Sequence, residues 1–216
     1  SVQHHRSLTG VSLKNTWLTI GVFDGIHRGH QAILRQLTAG AHSDNAPAVL
    51  LSFDPHPAVV LAGRGMKLLT TPEERAEIAA ALGVDAVITY PFDRALSEMS
   101  AHDFMARLKE HLGLRHLLIG YDFALGKGRE GNANRLAEIG RELGYAVRIV
   151  DAVSNGSGVV SSTEIRKLVS LGSVSEAADL LGRNYSLSGP VIHGDGRGRH
   201  INIPTANILY PESKLL

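Results

Sequence analysis

The chain has no cysteine among its 216 residues. That excludes a disulfide scaffold, cysteine-ligated zinc, iron–sulfur clusters and a thiol nucleophile. It has almost no net charge: 22 basic against 21 acidic residues leave +1. A duplex nucleic-acid binder needs a basic excess, so that class loses weight. Aromatic residues make up only 5%, too few for a base-stacking surface. Apolar runs such as 58–62 and 117–119 fall far short of the roughly 18 residues that span a bilayer. The first residues, Ser1-Val2-Gln3-His4-His5-Arg6, lack the apolar core of a signal peptide. The expectation is a cytoplasmic protein with no nucleic-acid or membrane partner; the number of copies stays open.

Glycine and histidine are abundant instead, at 23 and 11 residues, and the balance of 44% apolar to 20% charged residues is that of a globular protein. The length is about one and a half ordinary domains.

Short β-rich runs alternate with helical periodicity. Residues 17–23, 48–53, 86–90, 116–120 and 146–150 read as strands. Between them, 29–41, 72–82, 100–112 and 132–143 read as helices, followed by two more over 161–171 and 173–181. Thr71 and Pro72 start the second helix, and Gly83, Gly113 and Gly144 stop their helices. The prolines of Asp54-Pro55-His56-Pro57 predict a rigid loop without helix. This order predicts an α/β fold with a Rossmann-like parallel sheet, whose ligands bind at the carboxyl ends of the strands. The distinctive stretches, 24–30, 54–57 and 121–131, sit at such ends. After Leu181 the pattern changes to strands and loops, an incomplete β-rich segment. Residues 1–181 are expected to form one domain and 182–216 to begin a second.

The strongest signal is Gly21-Val22-Phe23-Asp24-Gly25-Ile26-His27-Arg28-Gly29-His30. A strand ends, turns on glycine and enters a helix. Helix starts carry unpaired N–H groups and a positive dipole, which favour phosphate. His27 and His30 share one side of the first turn and can donate to charge on a leaving pyrophosphate. Gly25 and Gly29 let a ligand approach the backbone. Ser161-Ser162-Thr163-Glu164-Ile165-Arg166 offers hydroxyls and N–H groups at another helix start, with Arg166 adding charge one turn on. The sequence identifies no metal ligands.

The first motif resembles the signature of the nucleotidyltransferases related to class I aminoacyl-tRNA synthetases, and the 161–166 stretch resembles that superfamily's second element. Ser52-Phe53-Asp54-Pro55-His56-Pro57 and Gly120-Tyr121-Asp122-Phe123-Ala124-Leu125-Gly126-Lys127-Gly128-Arg129 resemble flavin-site segments of the bifunctional riboflavin kinase/FMN adenylyltransferases. The four motifs fall in that family's order. The resemblance implies FMN + ATP giving FAD and pyrophosphate, with Mg2+. It implies that His27, His30 and Arg166 are catalytic. Gly21, Phe23, Asp24, Gly25, Gly29, Ser161, Ser162 and Thr163 would serve ATP. Phe53, Pro55, His56, Asp122, Phe123 and Arg129 would shape the flavin site. Ala124 and Leu125 depart from the family, which often has Arg and Phe there, so one packing or stacking group is expected to be missing. Gly182-Arg183-x-Tyr185, the 194–199 loop and Pro204-Thr205-Ala206-Asn207 resemble the opening of the riboflavin kinase module. Thr205 and Asn207 would serve its nucleotide and magnesium. Kinase activity itself is expected only of a longer parent chain.

The same residues admit other readings, a nicotinamide-dependent oxidoreductase first. Gly126-x-Gly128-x-x-Gly131 imitates a dinucleotide fingerprint, with Asp151 20 residues beyond it. Five residues separate it from the strand, where the first glycine should follow directly. Nucleotidyltransferases acting on pantetheine phosphate, nicotinate mononucleotide or glycerol phosphate share the histidine motif. A nucleotide-binding regulator without turnover would look the same in sequence.

Overall fold

The computed structural model describes residues 2–63, 65–155, 158–195, 197, 203 and 205–216. Six parallel strands form one sheet: β1 (Gln3–His5), β2 (Thr16–Ile20), β3 (Ala48–Asp54), β4 (Ala86–Pro91), β5 (Leu114–Gly120) and β6 (Ala146–Val150). Their order is β1-β4-β3-β2-β5-β6.

Both faces of the sheet are covered at its centre, so β2 to β5 are largely apolar and alternate between two cores, whereas the edge strands β1 and β6 carry polar residues. Leu18, Ile20, Val49, Leu51, Phe53, Leu117 and Ile119 face α5 (Ala101–Leu112) and α6 (Ala133–Leu143). Trp17, Ala48, Leu50, Val87 and Leu118 face α1 (Arg28–Ser43) and α3 (Pro72–Ala81). Thr71 caps α3 through a reciprocal box with Glu74. A third core joins α7 (Ser162–Ser170) and α8 (Val174–Leu181) to Leu69 and Leu215.

From central β2 the chain winds outward through β3 and β4, then crosses to β5 and β6 on the other side. The crevice at the carboxyl ends of β2 and β5 is therefore the topological switch point, where open sheets bind ligands.

Two local expectations need correction, and two short elements go beyond them. Asp54 continues β3 rather than opening a loop, pairing in register with Pro91. Pro57 then starts a helix, α2 (Pro57–Ala62). Proline costs nothing at a first helical position, where its missing N–H has no helical partner. The edge strand β1 and the single turn α4 (Arg94–Ser97) are too short to leave a periodic signal.

Beyond α8, Val191–Ile192 and Asn207–Ile208 form a two-stranded antiparallel pair. Most of the 194–199 loop and Pro204 lie outside the described residues.

Candidate active site

The site grows from the loop between β2 and α1. Phe23 and Ile26 both take positive φ, 52° and 39°, a costly backbone for such side chains. Gly21 makes room for the fold-back: a Cβ there would lie 2.9 Å from the Phe23 ring. Phe23 is thereby buried against His30, with ring centroids 4.9 Å apart.

His27 is the N-cap of α1. Its Nδ1 accepts from the N–H of Gly29 at 3.1 Å and of His30 at 3.4 Å. Two of the helix-start N–H groups expected to meet phosphate are thus already occupied by an imidazole. With Nδ1 accepting, the ring proton sits on Nε2, which becomes the donor. Burial pushes the His27 pKa down to about 4, against the pull of Asp24. Burial, then the neighbouring His27 and Arg75, hold His30 well below the ordinary histidine value. Both rings are neutral at pH 7. His30 Nδ1 is buried without a hydrogen-bond partner.

Beneath the histidines, Asp24 is 1% exposed and saturated. It accepts from the N–H groups of Leu69 and Thr70 and from the guanidinium of Arg166, at 2.8–3.1 Å. Arg75, almost wholly buried, stands 3.9 Å away and donates to Ser52 Oγ. Ser162 Oγ donates to the backbone carbonyl of Asp24 at 2.8 Å. Asp24 therefore ties the β2–α1 loop to α7. Arg166 Nε remains buried without a partner. Ser161 Oγ caps α7 by accepting from Glu164 N, and Thr163 is exposed.

A cleft of about 260 Å³ opens at the switch point. Its walls include His27, Gly29, His30, Asp122, Ser161 and Ser162. Val150–Val153 at the end of β6 close its far side. Sequence-predicted residues from three separate motifs thus meet in one cavity.

The remaining flavin-segment residues are placed differently. Phe53 is 8% exposed, in the core, edge-on to Phe92 at 5.5 Å. Pro55 is exposed. His56 caps α2 by accepting from Ala58 N at 3.0 Å. Burial lowers its pKa, with Arg166 adding to the effect. Phe123 packs half-buried on the core, while the exposed Arg129 donates to the Asp122 carbonyl at 3.0 Å. Of the two residues that depart from the family pattern, Leu125 is buried in that core and Ala124 is half-buried. Thr205 and Asn207 are exposed, and Asn207 pairs in register with Ile192.

Sequence reasoning missed Arg75, Gln31 and Arg183. Arg75 left one trace, a cation on the helix face shared with Ala76 and Ala79. Gln31 left none, because its partners are backbone carbonyls, and Arg183 stands in the kinase-like Gly182-Arg183-x-Tyr185 stretch without a sign of its contact with the loop.

The family model described as FAD synthetase matches residues 11–164, and that described as riboflavin kinase matches 181–216. A bifunctional riboflavin kinase/FMN adenylyltransferase of Listeria monocytogenes is 40% identical over 206 residues, covering 94% of this chain and 65% of the relative. The protein of that name in Escherichia coli K12 is 37% identical, covering 88% and 62%. The chain thus spans a little under two thirds of these relatives. A crystal structure titled macrolide-efflux protein, from Streptococcus pneumoniae, superposes with a TM-score of 0.83 at 28% identity, covering 96% of this chain and 68% of that one. Among the described residues no helix is long and apolar enough to cross a membrane.

Proposed function

The chain belongs to the FAD synthetase family, and from that premise we propose that it transfers the adenylyl group of MgATP to FMN. The products are FAD and pyrophosphate. The observation that carries the reading is the stacked, neutral His27–His30 pair at a helix start inside the switch-point cleft.

A phosphate oxygen of FMN attacks the α-phosphorus of ATP. The bond from that phosphorus to the α–β bridging oxygen breaks, and pyrophosphate leaves with the electron pair. No covalent enzyme intermediate is required, so the protein's task is alignment and neutralisation of charge. His27 Nε2–H donates to the phosphate oxygens as negative charge builds. His30 holds the second ring position, its Nδ1 free for a ligand. Arg166 keeps Nε for the outgoing pyrophosphate while Asp24 fixes its other end. Ser161, Ser162 and Thr163 bring the start of α7 to the same phosphates.

Gly21, Phe23 and Asp24 act on ATP by shaping the loop, since Phe23 and Asp24 are buried. For the flavin, Asp122 stands at the cleft and His56 beside the Asp24–Arg166 pair. Phe53, Pro55, Phe123 and Arg129 support that wall.

Among the described residues no three His, Asp or Glu side chains group to hold a metal. Magnesium would enter with the nucleotide and offset the charge of its phosphates. The protein works in the cytoplasm on small molecules. The 181–216 match implies a parent that also phosphorylates riboflavin. The test is chromatographic detection of FAD from FMN, ATP and magnesium. FAD appearing only with all three supports the reading; a chain that leaves FMN unchanged refutes it.

A further inference from the structure

We infer that Arg183 is a positioning residue for adenylyl transfer, reaching back from the kinase-matching segment to hold the loop that carries His27. The inference rests on the proposed reaction for its kinetic arm only.

The loop needs such a clasp. Gly25 and Ile26 both have positive φ, 83° and 39°, a backbone that needs outside support where the side chain is not glycine. Arg183 Nη2 donates to Gly25 O at 2.6 Å and Nη1 to Ile26 O at 3.1 Å. Gln31 Nε2, on α1, donates to the same Ile26 carbonyl at 2.9 Å and to Leu181 O at 2.7 Å. The guanidinium and the amide together tie the strained turn to the end of α8. Gly182, with φ 72°, ends α8 in a left-handed turn that sends Arg183 back toward the loop. The fork matters: two successive carbonyls suit a planar guanidinium, whereas a lysine ammonium acts from a single point.

The next residue after this clasped turn is His27, so the clasp sets where its ring sits. The positive charge of Arg183 also lowers the His27 pKa, opposing Asp24. The same segment also grips the stretch that holds Asp24. Lys214 Nζ donates to Leu69 O at 2.6 Å and pairs with Glu74 at 2.7 Å. Leu215 N donates to Leu68 O. Leu69 N in turn holds Asp24. Arg183 thus holds the loop directly, and Lys214 and Leu215 hold the Leu68–Leu69 stretch that binds Asp24, although the FAD synthetase match ends at 164.

The experiment compares the full 216-residue chain with Arg183→Ala and Arg183→Lys. In Arg183→Ala, kcat for FAD formation falls about 10- to 100-fold while KM for both substrates moves less than about threefold. Arg183→Lys recovers part of the rate, and added guanidinium ion raises that of Arg183→Ala. Independently of turnover, the His27 ring resonance in Arg183→Ala titrates above its wild-type value of about 4. Wild-type kcat in both variants overturns the inference, as does a His27 titration unmoved by Arg183→Ala. If the unaltered chain makes no FAD, the proposed function fails, and the inference is then overturned by a His27 ring environment that is the same in Arg183→Ala, Arg183→Lys and the unaltered chain.

Discussion

The imidazoles of His27 and His30 stack with centroids 3.6 Å apart and planes inclined by 18°. Two charged rings would repel at that distance. Burial keeps both neutral, so the stack is stable and its outer nitrogens can face substrate phosphates.

Replacing His30 removes one half of the stack. His30→Ala is expected to lower kcat for FAD formation at least about 100-fold, the scale of a lost transition-state donor. Steady-state kinetics measure it; an unchanged kcat would show that the ring is not part of the chemistry.

Gly29 lies against the His27 ring. A Cβ there would lie 3.0 Å from His27 Cε1, so the ring must shift by a few tenths of an ångström. Gly29→Ala is expected to cost about tenfold in kcat, because small misplacements of catalytic groups are expensive. Its melting temperature should not fall, since alanine favours helix.

The histidines also make stability depend on pH. Below the unfolded value of 6.5 the unfolded chain takes up protons that folded His27 refuses until about pH 4. Stability is therefore full above about pH 6.5 and declines as pH falls toward 4. For His27 alone the loss is about 3 kcal/mol. Urea titrations at several pH values should show this slope, and His27→Asn, which keeps an N-cap without a titrating ring, should flatten it.

Asp24 is the joint between the loop and α7. Asp24→Asn replaces an acceptor of backbone N–H bonds and of Arg166 with a group that presents its own donors to them. Breaking such a buried pair is expected to cost about 3 kcal/mol. Denaturant unfolding measures it; a loss below about 1 kcal/mol would deny Asp24 its tying role.

Much of the fold was legible because the strands are short, apolar and set off from capped helices by glycine. The histidine motif was legible because a strand end, glycines and a helix start coincide at 21–30. What stayed hidden depends on partners distant in sequence. Phe53 reads equally well as a flavin wall or a core aromatic, and only its contact with Phe92 places it in the core. Gln31 and Arg183 bind carbonyls, which no sequence pattern reports. Pro57, two residues after Pro55, reads as a helix breaker, though at a first helical position it is a helix starter.

The central claim is that this cleft joins FMN to an adenylyl group. Incubating the purified chain with FMN, ATP and magnesium, and separating the flavins, tests it most directly. The account predicts FAD and pyrophosphate in equal amounts, with the yield collapsing in His30→Ala. Pyrophosphate without FAD, or FAD formed equally well by His30→Ala, would contradict it.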